Sequence, residues 1–535
     1  MITISKAQGI FEMTSTHVIS FYGTYITPML RFDKKRLTYV SSAIAATLLY
    51  TLYRKIVLPP PGIRNIPRVN FLYFILSALK NDDPIYQLKN LYAPLISKAN
   101  GTYVRLNRAG WSVYVQNPVD IRKVLLNSDI FPKAPNSFGK GDTLINGILR
   151  HPSILTETGS KWKVHRNAAN PAFQRAMPVQ LFGKLTQQLF TEIEKENGTI
   201  DMSDYIERFT FDAITAAGFG YNANAIGDKN SEWVKYYSSL MDGAFVPIYA
   251  IVPILDTSLR WMSPSRVQLH KTLKIFLKRI GDIVTEKRAL IANKGGIGSL
   301  DDSEKDLCTL MIEAESGDGG VLTNEQMLND ILAFMLAGHE TTANALGSAM
   351  YHLAVHEEIQ QKLRNEAIEW LGNAPEDIIP TVEQSKNMVF LNMVIKENLR
   401  IIPPIVWTQP RIVTEDTELG DFMIPKGTIV TTDILGAQLD ETIWDDPYLF
   451  NPERFNPKNE ENKRAFNAYL PFGKGQQQCI GFNMSLAEQR VLLAMIVRKY
   501  KWSLPHDSIH KNGMVIAGTD SIGPKELVLD FTKRY

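Results

Sequence analysis

The spacing of hydrophobic and polar positions predicts a mainly helical chain with short strands between its helices. Apolar residues recur with helical spacing in four long stretches, Pro178–Lys195, Trp233–Asp242, Pro264–Ala292 and Met484–Tyr500. Alternating segments at Tyr103–Asn107 and Ser112–Gln116 predict a β-hairpin, and the chain after Pro403 has a strand-and-loop pattern. The predicted fold class is therefore mainly α with small β-sheets (α+β).

The longest helix is predicted to begin after Thr323, which forms a capping-box pattern with Gln326, and to continue to about His356. A glycine in its interior, Gly338, costs about 1 kcal/mol relative to alanine, which asks for a reason such as close approach of a ligand. Glu340 beside a threonine in this apolar segment could hand protons to a bound oxygen species. The alternative is a structural role, with the hydroxyls bonded back to the preceding turn.

The N-terminal part of the chain has a different pattern. Residues 37–53 are uncharged and lie between basic clusters, which predicts one membrane anchor near the short limit for a span, with a buried helix as the alternative. A more polar uncharged stretch, 13–30, is a second candidate membrane contact. Consecutive prolines within 59–68 then predict a stiff spacer. The expected organisation is an N-terminal segment 1–58, a Pro-rich spacer 59–68 and one large domain 69–535.

Composition excludes several classes of protein. The net charge of +2 is too small for a strong attraction to nucleic acid phosphates, so no nucleic acid partner is expected. The chain has only two cysteines, Cys308 and Cys479, which rules out a disulfide framework and a multi-cysteine zinc site. Cys308 lies in an apolar helical pattern and is most simply a core residue.

Cys479 lies in a glycine-bearing loop just before a predicted helix. Phe472, Gly475 and Gly481 belong to the same loop, where glycine allows the backbone to approach a flat ligand. Amide groups and the positive end of the helix could stabilise a thiolate at this position, and such a thiolate can be an axial ligand of haem iron. A nucleotide loop or a plain glycine-rich turn is the alternative, but the nucleotide-binding motifs are missing.

Five ordered motifs then resemble those of the cytochrome P450 family, over the chain from about residue 60 to its end. They are Trp162 with Arg166, Ala337 to Thr342, Glu397 with Arg400, Pro452 to Phe455, and Phe472, Gly475, Cys479 and Gly481. The resemblance implies a cytochrome P450 fold, haem b as cofactor and a monooxygenase activity. One position departs from the pattern, because Gln477 stands where the family usually has Arg or His. This departure removes a charge-assisted contact.

The resemblance also implies a role for each matching residue. Cys479 would be the thiolate ligand of the haem iron, and Thr341 and Glu340 would serve oxygen activation and proton delivery on the opposite side of the haem. Ala337 and Gly338 would lie against the haem, and Trp162, Arg166 and Arg411 would bind its propionates. A structural ion-pair cluster would consist of Glu397, Arg400 and Arg454. His339 occupies the variable position of its motif, so a place on the helix surface or a supporting role is expected for it.

The anchor and spacer resemble the membrane-anchored microsomal type of eukaryotic P450, fungal members included. This type implies a single-pass protein of the endoplasmic reticulum membrane with its haem domain in the cytosol. Its partners would be membrane lipid, NADPH-cytochrome P450 reductase and, as a second donor, cytochrome b5. Lys161, Lys163, Arg166 and Lys474 are the candidate contacts for an acidic redox partner.

The substrate-facing segments implied by the resemblance are largely apolar. Their prominent residues include Phe245, Ile405, Trp407 and Ile516, which indicates a lipophilic small molecule such as a steroid, terpenoid or fatty-acid-like compound. Packing of the core or contact with the membrane is the alternative role for these side chains. Two other functions remain open, a P450-type isomerase or dehydratase and a haem-binding sensor without turnover.

Overall fold

The structure of the protein is a computed structural model. It describes residues 34–80, 82–135, 137–138, 141–175, 178–196, 198–246, 248–249, 252–296, 299–300, 305–316, 322–459 and 467–535. The stretch 13–30, named above as a candidate membrane contact, lies outside these residues. The chain forms two compact units that meet in sequence at Arg64 and Asn65.

The first unit contains helix α1, Lys34–Val57, which includes residues 37–53. The hydroxyl groups of Ser41, Thr47 and Thr51 donate hydrogen bonds to carbonyls three or four residues earlier, so the helix itself satisfies them. Of the prolines that follow, Pro60 is extended, with φ −51° and ψ 148°, whereas Pro61 begins a 3₁₀ turn, Pro61–Ile63. Throughout the described part of the chain, no helix is both long enough and apolar enough to cross a membrane.

The second unit is mainly helical, and the predicted fold class is confirmed. Its helices are α2 Phe71–Lys80, α3 Pro84–Gln87, α4 Ala93–Ile96, α5 Pro118–Leu126, α6 Leu144–Ile148, α7 Gly159–Arg175, α8 Val179–Ile193, α9 Met202–Phe219, α10 Glu232–Ala244, α11 Pro264–Asn293, α12 Leu307–Ser316, α13 Asn324–Val355, α14 Glu357–Leu371, α15 Val382–Asn387, α16 Val389–Ile401, α17 Ile434–Gln438 and α18 Phe482–Lys499. A π-helical turn, Leu88–Tyr92, and 3₁₀ turns at Pro253–Asp256, Arg260–Met262 and Pro452–Phe455 complete the helical structure of the described residues.

Small sheets lie between these helices. The strands are β1 Thr102–Asn107, β2 Gly110–Val115, β3 Thr199–Asp201, β4 Arg411–Ile412, β5 Thr417–Leu419, β6 Phe422–Ile424, β7 Ile429–Thr432, β8 Tyr500–Ser503, β9 Ile516–Ala517, β10 Gly523–Pro524 and β11 Val528–Lys533. The predicted hairpin is present as β1 and β2, with Asn107 opposite Gly110. Strand order is β1-β2-β7-β4 in the largest sheet, where β2 and β7 are parallel.

Helix α13 runs through the core of the second unit. Its N-terminus has the predicted capping box, in which the Thr323 hydroxyl accepts from the Gln326 amide and the Gln326 side chain accepts from the Thr323 amide. Most of the helix is buried, and it contacts α9, α12, α16 and α18. Most side chains of this helix therefore face the interior of the domain.

A buried ion-pair node joins segments on one side of the domain. The Asp256 carboxylate accepts hydrogen bonds from Arg266 Nε at 2.6 Å and Nη2 at 2.5 Å, from His270 Nε2 at 2.8 Å and from the Leu144 amide at 2.8 Å. Burial opposes ionisation of Asp256, but these hydrogen bonds outweigh it, so the pKa of this carboxyl lies below its ordinary value. The node thereby links the turn at Pro253–Asp256 to the first turns of α6 and α11.

Replacing Asp256 by asparagine should destabilise the folded protein by about 3–5 kcal/mol, because Arg266 would stay buried without its counter-charge. The pKa of Asp256 is lower in the folded state, so its contribution to stability is present above the unfolded-state pKa and is lost as pH falls through the folded-state value. Denaturant unfolding of the wild type and of D256N at several pH values measures both effects.

The exposed pair Lys278–Asp282 provides a matched control. Asp282→Asn should change the free energy of unfolding by only about 0–1 kcal/mol. If D256N were as stable as D282N, the buried node would not make the expected contribution to the free energy of unfolding.

Candidate active site

The loop that precedes α18 closes on itself. The amide of Cys479 donates a hydrogen bond to the carbonyl of Phe472 at 2.9 Å. Gly473 and Gly475 have φ values of +67° and +82°, which glycine adopts without strain. A Cβ atom on Gly475 would also lie 2.9 Å from the carbonyl oxygen of Leu125, at the end of α5. The shape of the loop and its close packing against α5 both require glycine here.

Cys479 is a free cysteine whose side chain is accessible to water. Burial nevertheless raises the pKa of its thiol, while a hydrogen bond from the Gly481 amide and the charge of Arg166 lower it. The sulfur thus has many protein atoms around it and is still accessible to water. Such a thiol ionises when a metal cation replaces its proton, and the Gly481 amide and Arg166 then stabilise the thiolate.

The middle of α13 lies next to this loop. The hydroxyl oxygens of Thr342, on α13, and Ser485, in the first turn of α18, are 3.0 Å apart. Ala337 is exposed although most of α13 is buried. Thr341, four residues later, lies on the same helix face and is half-buried. An open face of α13 therefore lies close to the cysteine loop.

Helix packing explains the glycine at position 338, rather than the close approach of a ligand that was expected. A Cβ atom at this position would lie 2.8 Å from Cδ1 of Ile214 on α9. The missing side chain allows α9 to pack closely along α13. This contact joins residues far apart in sequence, and it offsets the helix-propensity cost of the glycine.

Glu340 and Thr341 differ in how their side chains are held. The Thr341 hydroxyl donates to the Ala337 carbonyl at 2.7 Å, the back-bonded arrangement named above as the structural alternative. Burial is the main cause that raises the pKa of Glu340, a hydrogen bond with Ser521 lowers it and the charge of Asp242 raises it. Glu340 therefore holds its proton to higher pH than an ordinary glutamate, as a proton donor requires.

Of the two alternatives expected for His339, the place on the helix surface was wrong. Its ring is buried, and Nε2 donates to the backbone carbonyl of Glu207 at 2.9 Å. The rings of Phe211 and Tyr237 contact it edge-on. Burial lowers the pKa of His339 to about 4, so it is a neutral core residue between α9, α10 and α13.

Two of the three predicted propionate donors bind the segment just before Cys479. Arg166 Nη1 donates to the Gln478 carbonyl at 2.8 Å. Arg411 Nη1 donates to the side-chain oxygen of Gln477, and its Nε has no hydrogen-bond partner among the described residues. The ring of Trp162 is buried on α7, with the Arg166 guanidinium 6.0 Å from its centre.

Sequence reasoning missed a third cation in this cluster, Lys133. Its side chain is buried, and its ammonium group donates to the Ile154 carbonyl at 2.6 Å and lies 6.0 Å from the Trp162 ring centre. Within the described chain, none of Lys133, Arg166 and Arg411 forms a hydrogen bond or ion pair with a carboxylate. Three cations beside one open thiol suit a ligand that carries both a metal and carboxylates.

The predicted ion-pair residues lie together in the core. Glu397 accepts from Arg400 Nε at 2.7 Å and Nη2 at 2.8 Å, and Arg454 Nε lies 3.3 Å from the same carboxylate. The amide of Asn451 donates to it at 3.0 Å, and Arg400 Nη1 also donates to the Gln438 carbonyl at 2.8 Å. The cluster ties α16 to α17 and to the turn at Pro452–Phe455.

The structure separates the four substrate candidates. Ile405 forms an antiparallel β-bridge with Ser521, and the Ser521 side chain hydrogen-bonds with Glu340. Ile516 lies in the β9–β10 hairpin, which contacts α13. Trp407 Nε1 instead donates a hydrogen bond to Asp520 Oδ1 at 3.1 Å. The guanidinium carbon of Arg105 lies 4.2 Å from the centre of the Trp407 ring.

Phe245, the fourth candidate, follows α10, and its ring lies 5.2 Å from the guanidinium carbon of Arg108. Sequence reasoning missed an apolar cavity between α6, α10, α11 and α13. Its lining residues are Ile148, Tyr237, Leu240, Met241, Leu273, Phe276, Leu332, Met335 and Leu336. One of these lining residues, Leu336, directly precedes the exposed Ala337 on α13.

The fold and this site define a haem-thiolate protein, and comparison with known proteins agrees. A sequence model of the family described as Cytochrome P450 matches residues 95–516. The chain therefore belongs to the cytochrome P450 family and is a haem-dependent monooxygenase with haem b as its cofactor. The iron of haem b suits the open thiol, and its carboxylates suit the cation cluster.

Among similar sequences, Cytochrome P450 4F1 of Rattus norvegicus is 29% identical over 368 residues, 66% of this chain and 69% of that protein. Leukotriene-B4 omega-hydroxylase 3 of Mus musculus is 28% identical over 383 residues, which cover 68% of this chain and 72% of that protein. The crystal structure of the cytochrome P450DA heme domain superposes with a TM-score of 0.72 at 21% identity, covering 88% of this chain and 98% of that chain. This last likeness shows the fold alone.

Replacing Cys479 by serine should abolish the long-wavelength absorption band of the reduced, carbon monoxide-treated protein, because a hydroxyl group does not supply a thiolate ligand. Spectra of the two purified proteins, normalised to haem content, check this. Cys308→Ser is the matched control, since Cys308 is fully buried and burial raises the pKa of its thiol to about 12. The assignment is wrong if C479S keeps the band or if C308S loses it.

Proposed function

We propose that this cytochrome P450 inserts one atom of O₂ into a lipophilic small molecule, with electrons from NADPH delivered by a separate reductase. The proposed substrate is a steroid, a terpenoid or a fatty-acid-like compound. The observation that carries the proposal is the position of Glu340 and Thr341, an acid beside an alcohol, where the open face of α13 adjoins the Cys479 loop.

Each site residue has a role in this proposal. Haem iron with a thiolate ligand supplies the cleavage of the O–O bond, and Cys479 is that ligand. The shape of the cysteine loop is set by Phe472, Gly475 and Gly481. The surface of α13 on the other side of the haem would be formed by Ala337 and Gly338. Trp162, Arg166 and Arg411 hold the propionates, and Glu397, Arg400 and Arg454 keep the supporting core in place.

Proton delivery is assigned to Glu340 and Thr341. The raised pKa of Glu340 keeps a proton available, and its contact with Ser521 orients the carboxyl group. Thr341 donates to the Ala337 carbonyl, so its oxygen can accept a hydrogen bond from a proton donor. A P450-type isomerase or dehydratase does not need this pair, and its presence favours monooxygenation.

The apolar side chains between α6, α10, α11 and α13, Leu336 among them, would offer a lipophilic substrate almost no hydrogen-bonding groups. Ile405 and Ile516 would add apolar surface on the side of Ser521. The relative named for omega-hydroxylation of leukotriene B4 is in line with this class.

Attachment to the endoplasmic reticulum membrane, with a cytosolic haem domain, is part of the proposal. Helix α1 supports it, since its large apolar residues are exposed, among them Ile44, Leu48 and Leu49. The hydroxyls of Ser41, Thr47 and Thr51 are satisfied within the helix, which lowers the cost of placing them in lipid. Alkaline extraction of membranes that contain the full chain tests this attachment.

Replacing Thr341 by alanine should uncouple NADPH consumption from product formation. With a ligand chosen from a lipophilic panel by its shift of the haem spectrum, product per NADPH should fall about tenfold or more, because positioned proton transfer is worth about 10²–10⁴-fold in rate. Thr341→Ser keeps the hydroxyl and should keep the coupling. Full coupling in T341A would remove Thr341 from the proposed role, and no turnover of any panel member by the wild type would favour a haem-binding sensor.

The proposed contact surface for the reductase comprises Lys161, Lys163 and Lys474, with cytochrome b5 as a second acidic partner. Lys161 and Lys163 are exposed on α7, and Arg166 of that helix is bonded to the cysteine loop that contains Lys474. Arg166 itself is turned towards the loop, so it contributes charge rather than a docking contact.

Reversing the charge in K161E/K474E should slow the first electron transfer from the reductase and change its salt dependence, because steering between opposite charges weakens as salt increases. Stopped-flow reduction at several ionic strengths measures both. The exposed Lys426 supplies the control K426E, which should reduce at the wild-type rate. Unchanged kinetics in K161E/K474E would contradict this surface.

A further inference from the structure

A second acid, Glu207, lies on α9 near Glu340. The backbone carbonyl of Glu207 accepts a hydrogen bond from His339 Nε2 at 2.9 Å, and His339 directly precedes Glu340. Two turns further along α9, Ile214 packs against Gly338. These two contacts fix Glu207 on the part of α9 that runs along the middle of α13.

The side chain of Glu207 has no structural partner. Among the described residues, its carboxyl group forms no hydrogen bond and no ion pair, and the contacts that hold this turn of α9 use the backbone carbonyl instead. The neighbouring cation, Arg208, is engaged by Asp204 at 2.7 Å and by the Ile226 carbonyl at 2.6 Å. Packing of α9 on α13 therefore does not explain why this position carries an acid.

Exposure to solvent increases from Glu340 towards Glu207. Glu340 is half-buried, whereas Glu207 is exposed, as is Asp242 near the end of α10. The charge of Asp242 raises the pKa of both other acids, so the three carboxyl groups lie near one another although they come from three helices. Glu207 can exchange protons with solvent and is close enough to Glu340 for their charges to interact.

Glu207 keeps its proton at higher pH than an ordinary glutamate. Desolvation by the surrounding protein is the main cause that raises its pKa to about 7, and neighbouring acids raise it further, in the order Asp204, Glu340, Asp201 and Asp242. The negative charge that Glu340 acquires when it gives up a proton thus favours the protonated form of Glu207. Glu207 is therefore protonated when Glu340 needs a new proton.

A buried hydroxyl group lies near the same two acids. Tyr237, on α10, is 4% exposed, and its oxygen has no hydrogen-bond partner among the described residues. Burial and then the charges of Glu340 and Glu207 raise the pKa of Tyr237, and its ring contacts His339 edge-on. A buried hydroxyl group without a partner is uncommon in folded proteins. This one offers a hydrogen-bonding group beside the path between the two acids.

We propose that Glu207 reloads Glu340 with protons taken from solvent on the α9 side of the domain. The protonated carboxyl group of Glu207 gives its proton to the ionised carboxylate of Glu340 and then takes a new proton from water, so one proton enters for each one that Glu340 delivers. Glu207 acts through Glu340 and does not itself touch the reacting atoms. This inference rests on the proposed function, in which Glu340 delivers protons.

Replacing Glu207 by glutamine removes the titratable proton and keeps the shape of the side chain. Product per NADPH should fall about fivefold near pH 6, less than for an acid that acts directly, because solvent also reaches the half-buried Glu340. The ratio of wild-type to E207Q coupling should shrink as pH rises through about 7, since the wild-type carboxyl group then loses its proton as well. A purely structural role would leave this ratio constant.

Four further measurements complete the test. E207D keeps an acid and should keep most of the coupling, and E415Q, which removes an exposed carboxyl group elsewhere, should match the wild type at every pH. The double variant E207Q/E340Q should be coupled no worse than E340Q, because residues that act in one route are not additive. The first electron transfer from the reductase should keep its wild-type rate in E207Q.

Wild-type coupling in E207Q, or a loss of the same size at every pH, would overturn the inference. A loss in E207Q/E340Q beyond that of E340Q would overturn the route through Glu340, and a larger loss in D242N than in E207Q would place the entry of protons on α10 instead. Failure of the proposed function is distinguishable, since E340Q would then remain fully coupled.

Discussion

The hydrogen bond from the Cys479 amide to the Phe472 carbonyl is the constraint on which the site depends. It closes the loop before α18, and the closed loop is possible only because Gly473 and Gly475 adopt left-handed backbone conformations. The same closure brings Gly475 against the end of α5 and presents the adjacent carbonyl of Gln478 to Arg166. One backbone contact thus helps to fix both the thiol and the neighbouring Arg166.

Two groups of charged side chains in the domain interior differ in how they are compensated. In the first group each charge is paired, as in Glu397 with Arg400 and Asp256 with Arg266, where several hydrogen bonds offset the cost of burial. A second group, Lys133, Arg166 and Arg411, forms no hydrogen bond or ion pair with a carboxylate among the described residues and lies beside the cysteine loop. Paired charges join segments of the fold, whereas the unpaired cations mark where an anionic ligand belongs.

Much of the fold was predictable because local signals agree with it. The capping box at Thr323 and the alternating pattern of the β1–β2 hairpin each depend on residues close in sequence. The reason for Gly338 was not predictable, since Ile214 meets it only after α9 packs on α13. Lys133 gives no local signal either, because a lone lysine reads as a surface residue until tertiary structure buries it.

The geometry of Thr341 shows how the long helix can hold a hydroxyl group whose oxygen is still able to accept a hydrogen bond. Its hydroxyl donates to the Ala337 carbonyl, so the side chain is satisfied within an apolar helix and offers only its lone pairs. To donate a proton it must release that carbonyl, at a net cost of about 0.5–1.5 kcal/mol. Glu340, whose carboxyl group keeps its proton to higher pH, can supply a proton that replaces the one donated by the hydroxyl. The structural and the chemical interpretations of this threonine are therefore two states of one hydroxyl group, separated by a single weak hydrogen bond.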